Sequence, residues 1–326
     1  MAHALTRANG KYEMAYVGET PWHGLGQVLQ PTADIETWQK AAGMDWIICS
    51  APIQFDGSRD GSNLRTWGDK RVLFRGDNLN PLGVVGSNYQ IVQPYEMLEF
   101  FRDLVEGNGF QLETAGTLFG GARFWALAKV TEATIAGWDR IGSYVLISST
   151  ADGSRATEVR ETTVRVVCNN TLSAALRASE KANIVIRHNT VFDVESTQKK
   201  LGLSRDHFAS FIEVANTLTK VRVSEAAAVM FVTKLLSKPV ADEEQTPAEA
   251  VRLPRGFNRI MELFSGQGMG STQKGSESTA WGLLNAVTQY VDHESTAKSV
   301  DHRIDKAFWG AGDVLKTKAL ELAQQL

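Results

Sequence analysis

The chain has 326 residues, of which 43 % are apolar and 22 % charged, with a formal net charge of −3. These values fit a soluble globular protein of one large or two ordinary domains, and they exclude a mainly disordered or collagen-like chain. Two cysteines, Cys49 and Cys168, exclude a disulfide scaffold and a thiolate-rich zinc site, and a reducing, cytoplasmic setting is expected.

The first thirty residues are rich in glycine and polar groups and lack the apolar core of a signal peptide. They read as an irregular arm containing Pro21-Trp22-His23-Gly24-Leu25-Gly26. Trp22 is expected to anchor that arm on the core; the functional alternative makes His23 a proton donor or Trp22 a stacking platform. A short helix is predicted over 35–42, with Asp34 as N-cap and Gly43 just past its end. Strands are predicted over 45–55 and 71–74, separated by the Gly/Ser/Asp-rich loop 56–63. A turn at Pro81-Leu82-Gly83 and a strand over 89–92 follow. A helix then starts at Pro94, with Met97, Leu98, Phe101, Leu104 and Val105 at helical spacing, and Gly107 ends it.

The strongest β signal pairs 110–119 with 122–130 around Gly120-Gly121, a pair suited to a two-residue hairpin turn. This register sets Gly116 opposite Trp125. It puts Leu112, Leu118, Arg123, Trp125, Leu127 and Lys129 on one face. A second hairpin pairs 144–148 with 158–167 around Ala151-Asp152-Gly153-Ser154. A helix is predicted from about Thr171 to Ser179, and a short strand over 183–187. Beyond 191 the pattern turns helical, with candidates at 193–220, 224–237, 255–265, 278–293 and 312–325. The fold class is α+β: an antiparallel sheet built from hairpins with helices packed on it, over 1–190, then a mainly helical region, 191–326. No apolar run approaches the roughly 18–20 residues of a membrane span, so no membrane partner is expected.

Charge is unevenly placed. Between 155 and 205 there are nine basic side chains against five acidic ones, a local balance of +4 on an acidic chain. Such a zone is either a set of solvated flanks or a groove for a polyanion. Trp125 between Arg123 and Lys129 adds an aromatic-plus-cation pattern able to stack bases and hold phosphates. The competing reading packs Trp125 beneath the helix at 94–106 with its cations reaching outward.

Enzymatic chemistry is poorly signalled. Gly116–Gly121 and Gly266–Gly270 lack the strand–turn–helix setting of phosphate loops, and there is no Gly-x-Ser-x-Gly elbow. Cys168, following Val166-Val167, is expected to be buried packing instead of a nucleophile partnered by His188. Asp292-His293 and Asp301-His302 carry metal-ligand chemistry, but their spacing matches no metal motif, and helix termination is the plainer reading.

Three stretches carry a resemblance: Pro21–Gly26, Val164-Arg165-Val166-Val167-Cys168-Asn169-Asn170-Thr171-Leu172, and Asn285-Ala286-Val287-Thr288-Gln289-Tyr290-Val291-Asp292-His293. The chain resembles the uncharacterised phage/plasmid-like protein family, a domain of unknown function found in phages, prophages and plasmids. That resemblance implies a mobile-element setting and brings no established activity and no agreed catalytic residues. In element order, the β-β-β-α run after the helix at 94 is similar to single-strand annealing proteins, which implies a ring or filament holding a single strand in a basic groove.

The resulting expectation is a non-enzymatic, cytoplasmic, homo-oligomeric protein that binds and anneals single-stranded DNA in recombination or replication. Arg160, Arg165, Lys181, Arg187, Lys199 and Lys200 would neutralise phosphates, Arg123 and Trp125 would be secondary contacts, and no cofactor is required. The alternatives are an anti-restriction or anti-defence protein whose acidic remainder occupies a host protein, and a metal-dependent nucleic-acid enzyme using Asp292, His293, Asp301 and His302.

Overall fold

Hairpins dominate the first half because short β-prone runs alternate with glycine turns, and the computed structural model shows how they assemble. It describes all residues except 1–5, 9, 19–24, 59–61, 109, 166–169, 173–182, 194, 198–203 and 238–252. The Pro21–Gly24 part of the N-terminal motif, Cys168 and most of the helix expected at 171–179 lie outside the described residues.

The short strands β1 (Arg7–Ala8) and β2 (Lys11–Tyr12) form a two-stranded ribbon. The main sheet contains β3 (Met14–Val17), β4 (Gln27–Leu29), β8 (Gln111–Leu118), β9 (Arg123–Ile135), β10 (Asp139–Thr150), β11 (Thr157–Arg165), β12 (Asn170–Leu172) and β13 (Asn183–Ile186). Its order is β12-β11-β10-β9-β8-β3-β4, with β13 also along β11. Every pairing is antiparallel except β3 with β4. A second sheet is the meander β5 (Ile48–Asp56), β6 (Leu64–Arg75) and β7 (Pro81–Gly86).

The predicted β8–β9 register holds: Leu118 pairs with Arg123 and Gly116 with Trp125. The connection is a helical turn over Phe119–Gly121 and not a two-residue loop. An irregularity between Leu112 and Thr114 reverses the pleat, so Leu112 packs on the face opposite Trp125. A third hairpin, β9–β10, was not predicted; Ala136 and Gly137 turn it with positive φ angles of 51° and 81°.

Two further expectations are corrected. Pro81–Gly83 opens edge strand β7, where a first-residue proline costs no ladder hydrogen bond. The segment 89–92 is not a strand. Tyr89 turns inward instead, and the Gln90 N–H donates once to the His188 carbonyl, at 2.5 Å.

Helix α1 (Ile35–Ala41) starts as predicted, the Asp34 carboxylate accepting the Thr37 N–H at 2.7 Å. Helix α2 (Pro94–Asn108) begins with the Glu96 carboxylate accepting the Gln93 N–H at 2.6 Å. These two helices and the small sheet enclose a core on one face of the main sheet, around Trp38, Met97, Phe100, Phe124 and Val145.

The C-terminal helices are α3 (Ser204–Leu218), α4 (Glu225–Leu236), α5 (Phe257–Glu262), α6 (Ala280–Gln289), α7 (Val300–Phe308) and α8 (Ala311–Ala323). Helix α7 was unexpected; Ser299 caps it, accepting the His302 N–H at 3.3 Å. The C-terminal helices bury their own core, which also takes in Ile135 and Ile141 from the far end of the β9–β10 hairpin. Trp309, between α7 and α8, completes a third cluster with Trp125, Leu127, Tyr144 and Leu146 on the remaining face of the sheet. Both faces of the central strands are thus covered. No helix among the described residues is long and apolar enough to cross a membrane.

Candidate functional site

Two of the arginines expected to face phosphate, Arg160 and Arg123, are used up internally. Arg160, on β11, is 4 % exposed. Its guanidinium donates to Asp313 of α8 at 3.2 Å and to Glu158 at 3.0 Å. Arg123, on β9, is 6 % exposed, paired with Asp305 of α7 and set over the rings of Phe119 and Trp309. Burial pushes its guanidinium down to about 10. Trp125 is buried beneath the C-terminal helices and not beneath α2. Its ring fills the space a side chain at position 116 would need: a Cβ there would lie 2.7 Å from the Trp125 ring. Arg160, Arg123 and Trp125 are therefore corrected from surface contacts to packing residues. The physical reason is that carboxylates on α7 and α8 reach the two arginines and exclude water with them.

Of the other predicted residues, Arg187 is exposed at the end of β13. Arg165 lies on β11 opposite Ile141 and Asn170, its side chain outside the described set. Lys181, Lys199 and Lys200 also lie outside it.

Asp292, from the metal reading, is occupied by a lysine. It is buried and accepts from Lys316 Nζ at 2.8 Å. His302 is engaged with the Ser299 hydroxyl at 2.7 Å and edge-on to Phe119. Among the described residues no group of three His, Cys, Asp or Glu side chains is placed to hold a metal ion.

Cations converge elsewhere. A cleft of about 590 Å³ opens where β6 and β7, the β10–β11 turn and the residues after β13 meet. Lys70, Arg155 and Arg187 line it, each from a different one of these segments, with Asp152 as the only lining carboxylate among the described residues. Lys70 and Arg187 have no ion pair among the described residues, and Arg155, one-third exposed, lies 3.9 Å from Asp305. The bare Cα of Gly83 is what lets the small sheet reach the turn. A Cβ there would lie 2.5 Å from the Asp152 Cα.

The floor of the cleft is rigid. The Tyr89 and His188 rings stack with centroids 4.2 Å apart and planes 17° apart. The Tyr89 hydroxyl donates to the Thr150 carbonyl at 2.6 Å, and burial with Asp152 nearby pushes its ionisation up. His188 is held between two carbonyls, with Nδ1 at 3.0 Å from Gln90 and Nε2 at 3.1 Å from Arg155. Burial holds its pKa below the usual histidine range. Across the turn, the Asp152 carboxylate accepts the Ser154 N–H at 2.8 Å. An open cleft with three cations over a hydrogen-bonded floor suits recognition of an anion.

A family model described as a domain of unknown function, DUF932, matches residues 81–309, more than half of the chain. The chain belongs to that family. No curated protein and no solved structure matches it. Three of the segments lining the cleft fall within the DUF932 span, whereas Lys70 lies before it.

Of the cleft cations, the sequence reading names Arg187 as a candidate contact and does not name Lys70. The signal at Lys70 is faint: it follows Gly68-Asp69 in the stretch between the loop at 56–63 and the strand at 71–74, to which no element is assigned. Arg155 was counted only as part of a charge run.

Proposed function

We propose that this protein binds single-stranded nucleic acid, with DNA as the probe of choice, by holding the phosphate backbone in the cleft between its two sheets. The observation that carries the reading is the convergence of Lys70, Arg155 and Arg187 on one open cleft that has a single carboxylate among its described lining residues. Lys70 and Arg187, with no ion pair among the described residues, and Arg155, paired only at 3.9 Å with Asp305, release counterions when phosphates replace them. Lys181, Lys199 and Lys200 remain candidate contacts in this proposal, whereas Arg165 lies at the opposite end of β11 from the cleft. Assembly of several copies along one strand, annealing, a mobile-element origin and a cytoplasmic setting belong to the same proposal.

Fluorescence anisotropy with a thirty-base oligonucleotide tests it. Affinity should fall steeply with salt, with a log–log slope near −0.7 per phosphate contact. Lys70→Glu with Arg187→Glu should weaken binding and flatten that slope by at least one contact. Salt-independent binding, or an unchanged slope in the double variant, would remove the cleft from consideration. Annealing is separable: the protein should accelerate pairing of complementary oligonucleotides, and failure there would leave a binding protein only.

A further inference from the structure

Strand β6 does not stop at the cleft. Beyond it, β5 and β6 continue as a two-stranded ribbon in which Ile53 pairs with Trp67, Gln54 with Thr66, Phe55 with Arg65 and Asp56 with Leu64. Strand β7 pairs only with Lys70 to Phe74, so no third strand supports the ribbon. Residues directly opposite in an antiparallel pair share a face, and the faces alternate. One face therefore carries Ile53, Phe55, Arg65 and Trp67, and the other carries Gln54, Asp56, Leu64 and Thr66.

Phe55 and Trp67 are each 50 % exposed. Isolated two-stranded ribbons are marginal in water, and exposed aromatic side chains on one make it worse unless something covers them. The charge pattern indicates what does. Arg65 is the only charged side chain on the aromatic face, and the one carboxylate of the paired stretch, Asp56, is on the other. Along the same strand, Lys70 then enters the cationic cleft. A second copy of this chain docked face to face would bring a further Arg65 and no carboxylate to this face. A single-stranded nucleic acid supplies both complements, planar apolar bases for the rings and phosphates for the cations.

We infer that the aromatic face of this ribbon is a base-stacking platform, Phe55 and Trp67 taking bases of the strand whose backbone lies in the cleft and Arg65 taking an intervening phosphate. The inference rests on the nucleic-acid reading of the cleft and adds to it a preference for unpaired bases. Duplex bases are already stacked and offer no face to the rings.

Anisotropy with three probes tests this: a thirty-base thymidine oligonucleotide, an abasic oligonucleotide of the same length, and a thirty-base-pair duplex. Stacking on two rings should make the thymidine strand bind at least tenfold more tightly than the abasic one. The double variant Phe55→Ala/Trp67→Ala should bring thymidine binding down to the abasic level. It should leave abasic binding, its salt slope and the melting temperature unchanged. Trp67→Phe, which keeps a ring, should retain most of the gain.

If neither strand binds, the cleft reading falls and the platform with it. If both single strands bind equally in the unaltered protein while Lys70→Glu still weakens them, the cleft survives and the platform is overturned. Tightening that persists in the double variant also overturns it. So does a double variant that merely converts a dimer to a monomer with unchanged affinity, which would give the face to a second copy.

Discussion

Arg160 and Arg187 lie on adjacent stretches of the same sheet, yet they meet opposite fates. Arg160 points into the interface with the C-terminal helices and is bracketed by Asp313 and Glu158. Arg187 leaves the end of β13 beside an open cleft and has no ion pair among the described residues. In sequence the two are equivalent members of one basic run. What separates them is whether a carboxylate arrives from a distant element. A buried arginine holds the fold together, and an exposed unpaired one is left to bind something else.

Four substitutions or conditions would break or sharpen that contrast. The largest effect is expected for Arg160→Ala, which takes the guanidinium away from the buried Asp313 carboxylate and from Glu158. Melting should show a loss of about 3–5 kcal/mol, with nucleic-acid affinity of the folded fraction unchanged. A mild effect would mean that water reaches the pair. Next is Gly282→Ala on α6. A Cβ there would lie 1.9 Å from the Ser276 carbonyl oxygen, so the backbone must shift, at a cost of about 1–3 kcal/mol by denaturant titration. This loss should again leave binding untouched.

The converse change, Arg187→Glu, should alter stability by no more than about 0.5 kcal/mol while weakening oligonucleotide binding. Equal losses of both would erase the distinction between the two arginines.

The smallest effect is a pH dependence from His188. Burial lowers its pKa, so the unfolded chain binds more protons between the folded value and about 6.5. Its contribution to stability is complete above about 6.5 and declines as pH falls through that window. Melts at pH 7.5 and 5.5 should show this component in the unaltered protein and its absence in His188→Gln. Identical pH profiles would mean that the two carbonyls around the ring support the imidazolium as well as burial opposes it.

Local signals were readable where they act locally. The Asp34 cap, the Pro94 start of α2 and the Gly116–Trp125 pairing follow from nearest-neighbour chemistry and turn geometry. The far half of β6 was hidden because Gly68, Asp69 and Lys70 have no partners on β5, and this interruption breaks the alternation that marks a strand. Phe55 and Trp67 sit on either side of the loop at 56–63, so their common face could not be read. Helix α7 was missed because its polar first turn resembles a loop and its cap is a single serine.

By itself, the sequence determined an α+β chain whose hairpins precede its helices, since hydrophobic period and turn residues act over a few positions. It also determined that cations crowd the stretch from 155 to 205. Only the tertiary structure decided which of them remain available. Asp305 and Asp313 lie more than a hundred residues from the arginines they neutralise, and no local rule links positions so far apart. Lys70, Arg155 and Arg187 are likewise brought to one cleft only when the small sheet docks against the β10–β11 turn, a contact that the missing side chain of Gly83 permits.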